Sequence, residues 1–149
     1  MSRNYYSEIN LHVVWHTKES VPLLTPQIEP FVHRYLRQRL INTLGVFVHE
    51  IGGTETHMHL AITIPPTVLI SEIIGQLKGS SSHETNQYMG RKVLEWQAGY
   101  GVVSFGTRAL EWVCDYIRRQ KEHHAKGTVQ DRLEQISGEG GGSPPVAVG

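Results

Sequence analysis

The run His57-Met58-His59-Leu60-Ala61-Ile62-Thr63-Ile64, closed by Pro65-Pro66, constrains this chain more than any other stretch. Met58, Leu60, Ile62 and Ile64 alternate strictly with His57, His59, Ala61 and Thr63. That period of two predicts a strand with one apolar face and one face carrying two adjacent imidazoles. Prolines, lacking an N–H for the ladder, stop it. A strand greasy on one side only needs partner strands in register and a layer of helices over the apolar side. The imidazole side is expected to lie on an open sheet face, within reach of solvent and ligand.

The remaining pattern supplies those partners. Residues 5–16 read as a strand, with Ile9, Leu11, Val13 and Trp15 alternating with Glu8, Asn10, His12 and Val14. Thr25-Pro26 predicts a helix start, followed by Ile28, Phe31, Val32, Tyr35, Leu36, Leu40 and Leu44 at helical spacing up to Gly45. Val46–Ile51 reads as a second strand, joined to the third at residues 56–64 through a Gly52-Gly53-Thr54 turn. A second helix is expected from Thr67, with Val68, Leu69, Ile73, Ile74 and Leu77 inward, continuing through Gly79–Ser82 to a stop at Gly90. A fourth strand follows at about Tyr100–Phe105. A third helix, capped by Thr107, runs to about His124 with Leu110, Val113, Cys114 and Ile117 on its inner stripe. The order strand–helix–strand–strand–helix–strand is that of an α+β, ferredoxin-like (RRM-like) antiparallel sheet with helices on one face, here followed by a further, tyrosine-bearing C-terminal helix. Residues 1–126 form one domain on this reading. Residues 127–149 form a tail, with room for a short helical turn at Val129–Ile136 and a Gly- and Pro-rich end from Gly138 expected to be disordered.

With 149 residues and 39% hydrophobic residues the chain can bury one real core. No apolar run approaches the ~20 residues of a membrane helix. The start, Met1–Tyr6, lacks a secretory apolar stretch, and Cys114 is the sole cysteine, so the expectation is a soluble cytoplasmic protein with no membrane partner. The formal net charge of zero argues against coating long duplex DNA, although it leaves room for a local site.

Two groups of residues carry chemistry. His57 and His59 share a strand face, and neutral imidazole binds Mn, Zn, Fe or Ni. On spacing alone a metal pair and two solvated surface histidines both remain open, the more so in a chain with nine histidines. Tyr116 and Gln120 lie four apart on one helix face, and no other tyrosine has glutamine at that spacing. A phenol of pKa about 10 needs a nearby cation or a polarised electrophile to act as a nucleophile. A glutamine oxygen can serve as a third ligand, and Arg118 and Arg119 can hold flanking phosphates. Here too the structural alternative, a tyrosine ring packing at the core boundary, stays open. Arg34, Arg37 and Arg39 suit either nucleic acid or a solvated helix face. Lys78 with Ser80 and Ser81 suits a phosphate or a small-residue helix contact. His123 and His124 suit proton transfer, nucleic acid or simply a helix C-terminus.

In combination these parts resemble the HUH single-tyrosine transposase family, the insertion-sequence-200-like group with its repeat-associated relatives. The resemblance spans roughly residues 3–126. It rests on His57-Met58-His59, on Tyr116 with Gln120, on the early His12-Val13-Val14-Trp15, on Gln76-Leu77-Lys78-Gly79-Ser80-Ser81 and on Trp96-Gln97-Ala98-Gly99-Tyr100-Gly101. It implies a transposase that cuts and rejoins single-stranded DNA, typically beside hairpin ends of a mobile element. His57, His59 and Gln120 would hold one divalent ion, Mg2+ or Mn2+, while Tyr116 becomes joined to the 5′ phosphate. Arg34, Arg37, Lys78, Arg118 and Arg119 would be the DNA contacts. A homodimer is implied as well, in which the tyrosine helix could serve the partner's site by movement of a long Gly106-containing connection, whereas the repeat-associated relatives can instead be monomeric. Three other functions compete. They are a non-catalytic module of the same fold that binds single-stranded nucleic acid, a metal-dependent hydrolase of small phosphoesters, and a phosphoesterase with paired His-x-Thr motifs. The last lacks both motifs: His16-Thr17 is adjacent rather than spaced, and His57-Met58-His59 has no threonine.

Overall fold

A computed structural model describes residues 4–136. Four strands, β1 (Ile9–His16), β2 (Phe47–Gly53), β3 (His57–Ile64) and β4 (Gly101–Phe105), form one antiparallel sheet in the order β2-β3-β1-β4. Helices α1 (Glu29–Ile41) and α2 (Ile70–Met89) cover one face. Three C-terminal helices follow: α3 (Leu110–Arg118), α4 (Gln120–Lys126) and the short α5 (Asp131–Glu134). The architecture is the expected α+β one. The remainder of the tail, including the expected disorder from Gly138, lies outside the described residues.

The alternation read from the sequence becomes the core. Leu11, Val13 and Trp15 of β1 and Met58, Leu60, Ile62 and Ile64 of β3 meet Val32, Leu36 and Leu40 of α1 and Ile73, Ile74 and Leu77 of α2. Trp15 is fully buried and meets Trp96 edge-on at 5.7 Å. The small residues 79–82 stay helical, as expected, and Gly90 closes α2 in the left-handed conformation (φ 73°). Among the described residues no helix is long and apolar enough to cross a membrane.

Several boundaries differ from the expectation, each for a local reason. The regular helix α1 begins at Glu29, because the Thr25 carbonyl first closes a turn to Ile28 and Glu29, and Pro30 can stand only where no N–H is required. Leu44 and Leu69, both expected inside, fall beyond helix ends and are exposed. β2 continues through Gly53, so the turn into β3 is made by residues 54–56, and a bulge leaves His49 out of the ladder. Val48 and Ile51, three apart, therefore both face the core. Thr107 does not cap the third helix. It lies in a 3-10 turn, donating its hydroxyl to Glu8 and accepting from Asn10. Gly106 alone separates β4 from that turn, so the connection is short rather than long. The third helix itself breaks at Arg119 (φ −106°, ψ 28°) into α3 and α4.

The largest departure concerns the imidazole face, which is not open. Val113 and Ile117 of α3 pack on Ala61, and Leu133 of α5 is buried too, so His57 is 3% exposed and His59 not at all. Helices therefore lie against both faces. Two strand glycines allow this close approach. A Cβ at Gly52 would stand 2.4 Å from the Ile117 carbonyl oxygen, and one at Gly101 would collide with that of Gln135.

Candidate metal and tyrosine site

β3 sets His57 and His59 side by side, with ring centroids 5.0 Å apart. The break at Arg119 then aims α4 at them. In an unbroken helix the Tyr116 carbonyl would take the Gln120 backbone N–H; here it accepts the Gln120 side-chain amide at 3.2 Å. That contact fixes the amide's orientation, leaving Oε1 3.3 Å from His57 Nε2 and 3.1 Å from His124 Nε2. His124 Nε2 lies 2.9 Å from His57 Nε2. Glu134 of α5 completes the ring. Its Oε1 is 3.4 Å from His57 Nε2 and 3.3 Å from His124 Nε2, and its Oε2 is 3.4 Å from His59 Nε2.

The outer nitrogens decide what the inner ones can offer. His57 Nδ1 sits between the Thr54 and Thr56 hydroxyls at 2.9 and 3.0 Å, so a proton there turns the Nε2 lone pair inward. His59 Nδ1 pairs with His12 Nε2 at 2.8 Å. His59 Nε2 is fully buried without a hydrogen-bond partner among the described residues. Burial keeps these rings neutral. It lowers His57 to about 3, with the neighbouring His59 contributing, and it lowers His59 as well. Burial would raise the Glu134 carboxyl, but the facing His59 ring at 3.4 Å and the Tyr116 hydroxyl outweigh it and hold the group at about 2. The inward Nε2 lone pair of neutral His57, the buried Nε2 of His59, an amide oxygen and a carboxylate converge on one point, a set of nitrogen and oxygen donors that fits a divalent cation. His57, His59, His124 and Glu134 can hold a metal ion, and Gln120 Oε1 stands among them.

Tyr116, on α3, is buried beside the same point. Its ring stacks on Trp112 at 5.7 Å and leans on His123 at 4.8 Å. Its hydroxyl donates to Glu134 Oε2 and accepts the Gln130 N–H at 2.9 Å. Burial pushes the phenol up to about 12, the Gln130 N–H working against the rise and Glu134 with it.

The structure thus brings His57, His59, Gln120 and Tyr116 together within one chain. It adds two residues that sequence reasoning missed as site members, His124 and Glu134. His124 was noted only for other roles; its spacing of four from Gln120 was the available signal. Glu134 lay in a segment without pattern, and only its place in the anticipated helical turn hinted at order. The cations lie elsewhere. Arg118 donates twice to Glu50 (3.1 and 2.9 Å), and Arg37 reaches the same carboxylate at 4.0 Å. Arg119 pairs with Glu122, and Arg34 lies over the Phe31 ring at 5.9 Å. The Lys78 ammonium donates to the Gln97 and Gly99 carbonyls, both at 2.7 Å, pinning the loop that leads into β4.

Comparison with known proteins bears on the family and the fold. The profile of the family described as "Transposase IS200 like" matches residues 5–120. The transposases for insertion sequence element IS200 of Salmonella typhimurium and Salmonella typhi are each 33% identical over 113 residues, covering 72% of this chain and 70% of theirs. Among solved structures, a Deinococcus radiodurans R1 protein assigned as a transposase superposes with a TM-score of 0.63 at 19% identity, over 78% of this chain and 94% of the other. A REP-associated tyrosine transposase bound to a REP hairpin superposes with a TM-score of 0.57, also at 19% identity, over 87% of this chain and 75% of that one.

Proposed function

This chain belongs to the IS200-like transposase family, and from that premise we propose that it cuts and rejoins single-stranded DNA through a covalent link between Tyr116 and a 5′ phosphate. The observation that carries the proposal is one shared atom. Glu134 Oε2 accepts the Tyr116 hydroxyl and lies 3.4 Å from His59 Nε2, so the phenol and the imidazole pair are separated by about the width of one anionic group. His57, His59 and Gln120 are the residues we assign to one divalent ion, Mg2+ or Mn2+. Such an ion, when bound, supplies Lewis acidity that draws charge from a phosphate oxygen.

The protein's own residues do the rest. The Thr54 and Thr56 hydroxyls hold the His57 ring with Nε2 inward, and burial keeps it neutral and able to donate its lone pair. Trp112 and His123 fix the plane of the Tyr116 ring. The phenol oxygen forms a bond to phosphorus as the bond from phosphorus to the 3′ oxygen breaks. The departing 3′ oxygen takes up a proton as the phenol gives one up, leaving a 3′-hydroxyl and a 5′-phosphotyrosine. Attack by a 3′-hydroxyl reverses the step and reseals a strand, so the phosphoester bond is conserved without ATP. Hairpin ends of a mobile element are the proposed substrate, a REP-associated relative having been seen on a REP hairpin. A homodimer and a cytoplasmic location, in keeping with the free Cys114, belong to the same proposal.

The test is covalent. Hairpin-bearing single-stranded oligonucleotides with Mn2+ are expected to give an adduct that survives denaturation. Tyr116→Phe should abolish it while DNA binding persists, and His57→Ala should also abolish it. Binding with no adduct from the unaltered protein across hairpins drawn from the DNA flanking its gene would instead favour the non-catalytic binding module.

A further inference from the structure

The reacting groups are already engaged by the chain's own C-terminal segment. The Tyr116 hydroxyl has its proton on Glu134 and a lone pair on the Gln130 N–H, so both of its directions are used by residues 130–134. The inward nitrogens of His57, His59 and His124 all face the two oxygens of that same carboxylate. From this geometry, and resting on the strand-transfer reading above, we infer that Glu134 is an internal stand-in for the scissile phosphate. A DNA strand can enter only as this carboxylate leaves.

The chemistry matches group by group. A phosphodiester presents two non-bridging oxygens that share one negative charge, and a carboxylate presents two oxygens that share the same charge. One Glu134 oxygen lies toward His57 and His124, and the other lies between His59 and the nucleophile. A scissile phosphate would need one oxygen on the ion side and its phosphorus beside the phenol. Both anions cannot occupy that space, and two negative charges there would repel.

The segment is built to release. α5 is four residues long, and outside the site itself it is held by the buried Leu133, by the Arg132 guanidinium on the Ser104 carbonyl at 3.1 Å and by the close pass of Gln135 over Gly101. Few buried apolar contacts mean a low cost of local opening. Two other roles for Glu134 make the opposite prediction. As a permanent ligand or as the base for Tyr116, it would be needed for turnover, and its removal would slow the reaction.

The experiment compares full-length wild type, Glu134→Ala, Glu134→Gln and Leu133→Asp in Mn2+. The last undocks the segment while keeping the carboxylate in the chain. Binding of a fluorescein-labelled random-sequence single-stranded 30-mer is read by anisotropy, and adduct formation with the same pool by denaturing gel. A stand-in predicts a Kd lowered about tenfold or more in all three variants, with faster adduct formation. Unchanged or weaker binding in the folded Glu134 variants overturns the inference, and so does tighter binding with a slower adduct. Should Glu134→Ala fail to fold, the nearly isosteric Glu134→Gln decides. Failure of the strand-transfer reading has a different signature: no variant forms an adduct, although the 30-mer still binds more tightly once Glu134 is gone.

Discussion

Gly52→Ala tests whether the tyrosine helix must lie flush on the sheet. Gly52 pairs with His59 across β2 and β3, on the face that α3 covers. An added Cβ would lie 2.4 Å from the Ile117 carbonyl oxygen and 2.9 Å from Ile117 Cγ2. Ordinary contact begins near 3.4 Å, so α3 has to lift by about 1 Å, a backbone carbonyl being unable to rotate aside as a side-chain tip would. Overpacking of this kind costs about 1–3 kcal/mol. In urea, with a slope of about 1–3 kcal/mol per molar for a small domain, that lowers the unfolding midpoint by roughly 1 M. The consequence for chemistry is larger. Tyr116 is the residue before Ile117, and a 1 Å misplacement of a reacting group is expected to slow adduct formation by about 10²-fold. Far-UV circular dichroism should stay near that of the unaltered protein, separating displacement from unfolding. A Gly52→Ala protein with unaltered midpoint and unaltered adduct rate would refute the argument that close contact between α3 and the sheet positions the nucleophile.

Two further predictions follow from the imidazoles. Replacing Thr54 and Thr56 together by valine removes both hydroxyls from His57 Nδ1. Mn2+ affinity, followed by the loss of the free-ion EPR signal, should drop about 10–100-fold, as for other supports of metal-bound histidines. In chelator-treated protein, stability should fall with acidification. Burial lowers His12 and His57 to about 3 in the folded chain. Between an unfolded value near 6.5 and 3, the unfolded state therefore binds protons that the folded state refuses. Stability present above pH 6.5 is lost progressively down to pH 3, by about 1.4 kcal/mol per pH unit for each ring. Denaturation midpoints that stay flat from pH 7 to pH 4 would show that these rings titrate normally.

What could be read from the sequence was whatever a local period reports. Alternation in β1 and β3 gave the core face, and the spacing of Val32, Leu36 and Leu40 gave α1. The histidine pair was legible because it is a local spacing on a regular strand, and the Tyr116–Gln120 pair because its spacing of four survives although the two residues stand on either side of the break at Arg119. The bulge at His49, the break at Arg119 and the docking of α5 were not, since each is settled by partners distant in the chain. Arg119 occupies a helical pattern, yet the break there is accompanied by the Gln120 amide on the Tyr116 carbonyl and by the turn of α4 toward His57. Val129, Leu133 and Ile136 carry the helical spacing behind the expected turn, but nothing in that spacing says which surface Leu133 packs on.

One trace of the covered face was nevertheless in the sequence. Gly52 pairs with His59, and Gly101 pairs with Val14, the β1 residue that also pairs with His59. Two strand positions on the imidazole face thus lack side chains. Glycine weakens a strand interior, so its presence there needs a return, and the usual one is another backbone passing close by. Here the passing backbones are those of Ile117 and Gln135, which flank the helix turn holding Tyr116 and the segment holding Glu134. The two glycines therefore make room for both ends of the hydrogen bond between the phenol and the carboxylate. The same reasoning makes Gly101→Ala the counterpart of Gly52→Ala. A Cβ there collides with the Gln135 carbonyl and spares α3, so it should expel the Glu134 segment and speed adduct formation where Gly52→Ala slows it. If both substitutions slow the reaction alike, the sheet face is a single rigid platform and Glu134 is not a movable occupant of it.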